Sequence, residues 1–318
     1  MVYKGKKIVL KKNTKIYILA PAQTFTGGPE CLHQLAYYLK KIFKLQTFIY
    51  YLPNDIKKPV HKNFKHYKIK SINNIEDNKD NILIMPEHFF FLKEGLKYLN
   101  IRKIIWWLSI DNYFGFKFKY QNTKIKRSLL KIPYNLISIF NKITNYYFGI
   151  FTYHDYLKIL YKFSNLNKQI EIAQASSHLM QSYYAYDFLK KKLNNLYFLF
   201  DYQNKQLLNS KTNNKKENLI CYSNKCNEYI DLLKPLYNDS LVELKGFTRK
   251  EMINIFKKTK IYIDFGYHPG KDKMPREAVL FNNCIITNKK GSAKNSYDIP
   301  IKNQYKFKER RSNLNKIK

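Results

Sequence analysis

Acidic residues are scarce in this chain of 318. There are 23 Asp and Glu against 58 Lys and Arg, a formal charge of +35. That imbalance points to anionic partners: nucleic acid, anionic lipid or phosphorylated small molecules. The lysines are spread along the whole chain, which argues against a dedicated nucleic-acid patch. Lys, Asn, Ile, Tyr and Phe are also over-used together, the bias of an AT-rich genome. Cysteine is rare as well: Cys31, Cys221, Cys226 and Cys284. Only Cys221 and Cys226 are close, with no second pair and no nearby His, so a zinc pattern is excluded. Cys31, Cys221 and Cys284 stand in apolar runs and read as small core residues in a reducing cytoplasm. Long apolar runs are missing: "IIWWLSI" and "YNLISIF" are far too short to span a bilayer. The first residues, "MVYKGKKIVLKKNTK", hold no apolar signal core. These features imply a soluble or peripheral protein.

What is present is an alternation. "KIYILAP" (15–21) reads as a buried strand, "AQTFTGGPE" as a loop, and the next residues as a helix with Leu32, Leu35, Ala36, Leu39, Ile42 and Phe43 on one face. Pro29 suits the first helical turn, where its missing N–H costs nothing. Strands are expected at 47–52, 81–86, 103–109, 171–176 and 196–200, with helices between several of them, notably 177–192. Residues 202–217 are polar and Asn/Lys-rich, a linker composition. A second series follows, with strands at 218–223 and 241–246, then "IYIDF" and "CIIT". Thr248 and Glu251 stand at capping-box spacing before another helix. Strands alternating with helices imply parallel sheets. The expected architecture is two Rossmann-like α/β domains, 1–201 and 218–318, joined by a linker at 202–217. A basic aromatic stretch, 113–165, reads either as an insertion packed on its own domain or as a surface for anionic lipid.

The densest chemistry lies in "FGYHPGKDKMPRE" (265–277), between an expected strand and a helix. Gly266 and Gly270 permit unusual backbone geometry, and His268, Lys271 and Arg276 are cations or donors suited to a diphosphate. Glu277 can accept two hydroxyls, as carboxylates do on ribose, or is simply an acid favoured at a helix start. "KKGSAKN" (289–295), with Gly291 and Ser292, is a second small-residue loop expected on the same sheet edge. Gly27 and Gly28 open the first helix, whose free N–H groups suit a phosphate or sugar; a plain tight turn fits them equally.

The segment 262–301 resembles the donor-binding region of retaining, two-Rossmann-domain (GT-B type) nucleotide-sugar glycosyltransferases, and 18–39 resembles their N-terminal glycine loop. "WWLSIDNYF", "YHDYLKILY" and "SSHLMQSYYAYDFLKKK" are similar to a bacterial, family-1/family-4-like branch of that group. The resemblance implies a nucleoside-diphosphate sugar held between two domains that face each other across a cleft, with no metal and no other cofactor. Glu277 matches the second acid of the family's paired-glutamate motif, which contacts the ribose; the first acid falls at Pro269, a departure. Lys225, with Asn224 beside it, stands for the family's Arg and Lys pair. The family's closing crossover helices have no counterpart after "IPI". The implied catalytic residues are His268, Lys271 and Arg276, and the donor-binding ones are Gly27, Gly28, Lys225, Gly270, Glu277, Gly291 and Ser292. His154 and His178 are weaker candidates for the acceptor side.

The expected function is sugar transfer to a polysaccharide or lipid-linked acceptor by a cytoplasmic enzyme, peripheral on anionic membrane, with no specific nucleic-acid partner. A degenerate sugar-binding scaffold is the alternative, favoured by Pro269. A nucleic-acid binder, suggested by charge alone, is the second.

Overall fold

The computed structural model describes residues 8–122, 124–144, 153, 156–157, 168–203, 207, 215–223, 225 and 227–307. His154, Asn224, Cys226, most of 145–167, much of the polar stretch after 203 and the last eleven residues lie outside that set. The chain divides into two compact units, Met1–Asp201 and Tyr202–Lys318.

Unit 1 is built on seven parallel strands: β1 (Lys15–Pro21), β2 (Gln46–Leu52), β3 (Ser71–Ile72), β4 (Ile82–Pro86), β5 (Arg102–Trp107), β6 (Ala175–Met180) and β7 (Leu196–Phe198). Their order is β3-β2-β1-β4-β5-β6-β7. Successive side chains of a strand point to opposite faces, and both faces here are buried. Tyr17, Leu19, Leu83, Met85, Ile105 and Trp107 enter one core. Ile16, Ile18, Ala20, Ile82, Ile84, Ile104 and Trp106 enter the other. Apolar runs without a polar face are the mark of a covered parallel sheet.

Helix α1 (Gly27–Tyr37) covers the second face through Cys31, Leu32 and Ala36. On the first face lie α2 (Phe89–Gly95) and α3 (Ile110–Gln121), the latter through Tyr113, Phe114 and Phe118. The first nine residues of the basic aromatic stretch therefore belong to a core helix. Helix α4 (Lys124–Thr144) follows, with α5 (Ile170–Ala173) and α6 (Tyr183–Leu189).

Two expectations shift here. The strand expected at 171–176 runs from Ala175 to Met180, and the helix expected from 177 starts at Tyr183. Glu171 is the reason. It pairs with Lys117 at 2.5 Å and accepts the Tyr113 hydroxyl at 2.9 Å, which fixes Ile170–Ala173 as one helical turn. The "SSHLM" run then pairs with β5.

Unit 2 holds five parallel strands: β8 (Ile220–Ser223), β9 (Leu241–Leu244), β10 (Ile261–Asp264), β11 (Cys284–Asn288) and β12 (Lys306–Phe307), in the order β12-β11-β10-β8-β9. Cys221, Tyr262 and Ile285 face one core, and Tyr222, Ile263 and Ile286 the other. Its helices are α7 (Asn227–Tyr237), α8 (Arg249–Lys258) and α9 (Lys273–Leu280). The Thr248–Glu251 capping box forms with both of its bonds. Cys284, expected in a core, is exposed at the start of β11. The expected class, two Rossmann-like α/β halves, is the one observed.

Candidate functional site

All five strands of the second sheet run the same way, so the loops after β8, β10 and β11 emerge at one edge. Glycine lets them touch. A Cβ on Gly266 would lie 2.6 Å from Lys225 Cβ. A Cβ on Gly291 would lie 1.9 Å from the His268 carbonyl oxygen, and Gly291 has φ +57°. Polar contacts fasten the same loops. The Ser292 N–H donates to the His268 carbonyl at 2.8 Å, and its hydroxyl to the Gly270 carbonyl. The Asn288 amide donates to the carbonyls of Phe265 and Gly266. The structure thus brings together Lys225, Gly270, Gly291, Ser292 and His268 from three loops.

His268 is fully buried, with Asp264 Oδ1 3.6 Å from Nε2 and Asp272 Oδ2 3.2 Å from Nδ1. Burial alone would lower its pKa, but Asp264 and Asp272 outweigh it and hold the imidazole above its ordinary value. Asp272 moves the other way: burial pushes its carboxyl up, and His268, Lys225 and Arg276 together pull it below the usual range. Asp264 also accepts the Tyr262 hydroxyl at 2.7 Å and the Gly266 N–H at 3.1 Å. The imidazole thus lies between two carboxyl groups, with Lys225 Nζ 3.8 Å from Asp272. Ligand atoms of Asp264, His268 and Asp272 lie within 4.8 Å of one another, so the trio could hold a metal ion through a neutral imidazole.

Arg276, in α9, donates to the carbonyls of Asp272 and Lys271 at 3.1 and 3.0 Å, tying the loop to the helix it enters. Glu277 is buried, and both its oxygens are held by the Arg249 fork at 2.7 and 2.6 Å. A cation in the first turn of a helix is opposed by the dipole; Glu277 offsets that at Arg249. A ribose reaches Glu277 only if Arg249 shifts or shares the carboxylate.

Asp264, Asn288 and Arg249 were missed in the sequence. The strand ends marked the first two positions, and the capping box marked the helix start where Arg249 stands.

The remaining candidates lie in unit 1 or outside the described residues. Gly27 and Gly28 open α1, where Thr26 makes no side-chain cap, so the first N–H groups are not taken by it. His178 is in β6, buried, its Nδ1 accepting the Trp107 indole N–H at 3.3 Å, and burial lowers its pKa to about 4. His154 lies outside the described residues.

No family model matches the sequence, and no curated protein matches it. Solved structures share the fold. Sucrose-phosphate synthase from Thermosynechococcus elongatus superposes with a TM-score of 0.55 at 9% identity, over 96% of this chain and 88% of that one. The N-terminal domain of Candida albicans trehalose-6-phosphate phosphatase does so with a TM-score of 0.50 at 8% identity, over 92% of this chain and 86% of that one. At such identities the likeness shows the fold alone, a GT-B glycosyltransferase-like fold.

Proposed function

We propose that this protein is a retaining glycosyltransferase that moves a sugar from a nucleoside-diphosphate sugar to a polysaccharide or lipid-linked acceptor. The observation that carries the reading is the convergence of three loops at one sheet edge, two of them glycine-bearing, with Lys225, Lys271 and Arg276 among them. Charge grows on the diphosphate as the sugar leaves. Lys225, Lys271, Arg276 and backbone donors near Gly270, Gly291 and Ser292 stabilise it. The bond from the anomeric carbon to the diphosphate oxygen breaks, the acceptor oxygen bonds to that carbon on the same face, and its proton passes to the departing phosphate. Glu277 binds the ribose. His268, enclosed by Asp264 and Asp272, fixes the shape of the loop that carries Lys271.

The test is thermal shift with a panel of nucleoside diphosphates and their sugars, since a ligand of the native state raises stability by mass action. A UDP- or GDP-linked sugar should raise the midpoint equally with and without a chelator, and purified protein should hydrolyse or transfer it. Binding without turnover supports the second reading, a catalytically degenerate sugar-binding protein, which the Arg249 grip on Glu277 and Pro269 favour.

We also propose that α4 docks on anionic membrane. No described helix is long and apolar enough to cross one. On α4, Leu129, Ile132, Leu136, Ile139 and Phe140 are exposed at helical spacing, while Leu130 packs on the core. Exposed Lys126 and Lys131 accompany that stripe, the pattern of an interfacial helix.

A further inference from the structure

Unit 1 carries a cavity of about 420 Å³ lined by residues between Gln23 and Ile69. It opens where β1 and β2 end. Its size falls near the lower end of small-ligand sites, about 300–1,000 Å³. Lys58, Lys62, Lys65 and Lys68 all line it, and all are exposed. No Asp or Glu is among its lining residues, and no salt bridge to these lysines forms among the described residues. Glu30 lies within electrostatic reach of His33 but does not line the cavity. Four like charges around one hollow repel each other, and an anion inside it would relieve that.

The buried wall is different in kind. His33, Tyr51 and Phe64 line it, each under 5% exposed. Phe64 stacks on His33 with ring centroids 4.1 Å apart. His33 Nδ1 is 2.7 Å from the Pro29 carbonyl oxygen, which can only accept, so Nδ1 carries the proton. Nε2, 2.7 Å from the Tyr51 oxygen, must then accept from the Tyr51 hydroxyl. Burial lowers the His33 pKa to about 4, which keeps the ring in this neutral tautomer. Tyr51 is therefore oriented as a donor to His33, and its oxygen is left as an acceptor for a ligand O–H. Gln23 and Lys68 both hold φ near +50°, a conformation uncommon without glycine and concentrated at ligand sites.

We propose that this cavity binds a saccharide bearing a phosphate or carboxylate, the lysines taking the anion and Tyr51 a ring hydroxyl. Calling that ligand the acceptor rests on the proposed transferase activity; occupation of the cavity does not.

Calorimetric titration of the full chain with glucose 6-phosphate, glucuronate, glucose and inorganic phosphate tests it. One of the two anionic sugars should bind at least tenfold more tightly than glucose and than phosphate, and salt should weaken it. A stronger glucose 6-phosphate response assigns the anion as phosphate, a stronger glucuronate response as carboxylate. The K62Q/K65Q variant, changed only at exposed positions, should lose about tenfold in affinity with an unaltered melting midpoint, and Tyr51→Phe should weaken the sugar but not phosphate. The proposal falls if glucose binds as well as the anionic sugars, if phosphate alone matches them, if K62Q/K65Q keeps full affinity, or if none binds at millimolar concentration. Nucleotide binding by unit 2 is read separately, so failure here leaves the donor assignment standing.

Discussion

Glu87 in unit 1 and Glu277 in unit 2 are both almost fully buried, and they are satisfied by opposite means. Glu87 follows β4 and accepts the backbone N–H groups of Leu108 and Ser109, each at 3.0 Å. Those donors cannot move, so Glu87 clips the end of β4 to the end of β5. Glu277 is gripped by a flexible side chain, Arg249, which is 35% exposed. That partner can swing away and the backbone partners cannot. The contrast separates a carboxylate that maintains a fold from one that can exchange its partner for a ligand.

The largest test of this difference is Glu87→Ala. It leaves two buried N–H groups without acceptors, at about 1–3 kcal/mol each. Urea unfolding should show a loss of about 2–5 kcal/mol, and a loss below about 1 kcal/mol would erase the distinction. Next is Glu277→Ala, which should weaken nucleotide binding by about 1.5–3 kcal/mol, the worth of hydrogen bonds to a charged group. Arg249→Gln should keep or raise that affinity, because in the proposed site the ribose has to displace the guanidinium. Unchanged nucleotide affinity in folded Glu277→Ala would remove the ribose role.

A third test uses pH. Burial raises the Glu87 carboxyl from 4.5 to about 8 in the folded protein. A raised folded pKa contributes stability that is complete below 4.5 and disappears as pH climbs towards 8. His268 is raised too, so its contribution is complete below 6.5 and is lost only above that, through its folded pKa. Burial lowers His33, His88 and His178 to about 4, so their contributions grow as pH rises to 6.5 and oppose the Glu87 loss there. Glu87→Gln should therefore steepen the rise of urea midpoints between pH 4.5 and 6.5 and leave above 6.5 only the fall that belongs to His268. A Glu87→Gln profile parallel to the wild type in this window would show that the two N–H groups keep Glu87 ionised. The smallest effect belongs to α4. Replacing Lys126 and Lys131 with Gln should reduce binding to anionic vesicles by about 1 kcal/mol per residue, with nucleotide affinity intact. Equal wild-type binding to neutral and anionic vesicles would remove the electrostatic part.

The sheets were legible in the sequence because a covered parallel strand is a short apolar run between turns, as at "KIYILAP" and "CIIT". The "EIAQASSHLM" segment was not: a buried ion pair at Glu171 moved the strand, and no local pattern encodes a partner 54 residues away. In the candidate site, the loop residues stood out through glycine and proline. Arg249 did not, because its pairing with Glu277 spans 28 positions. The lysines of the unit 1 cavity were hidden by abundance; folding, not composition, sets four of them around one hollow.

The two tryptophans of the chain, Trp106 and Trp107, are neighbours on β5, and each is buried on a different face of the same sheet. Indole emission is thus an optical probe of unit 1 from both sides and is blind to unit 2. Circular dichroism sees both. An emission transition that departs from the dichroism transition would resolve the two halves melting separately, and a nucleotide that shifts only the dichroism curve would place its binding in unit 2 without a single substitution.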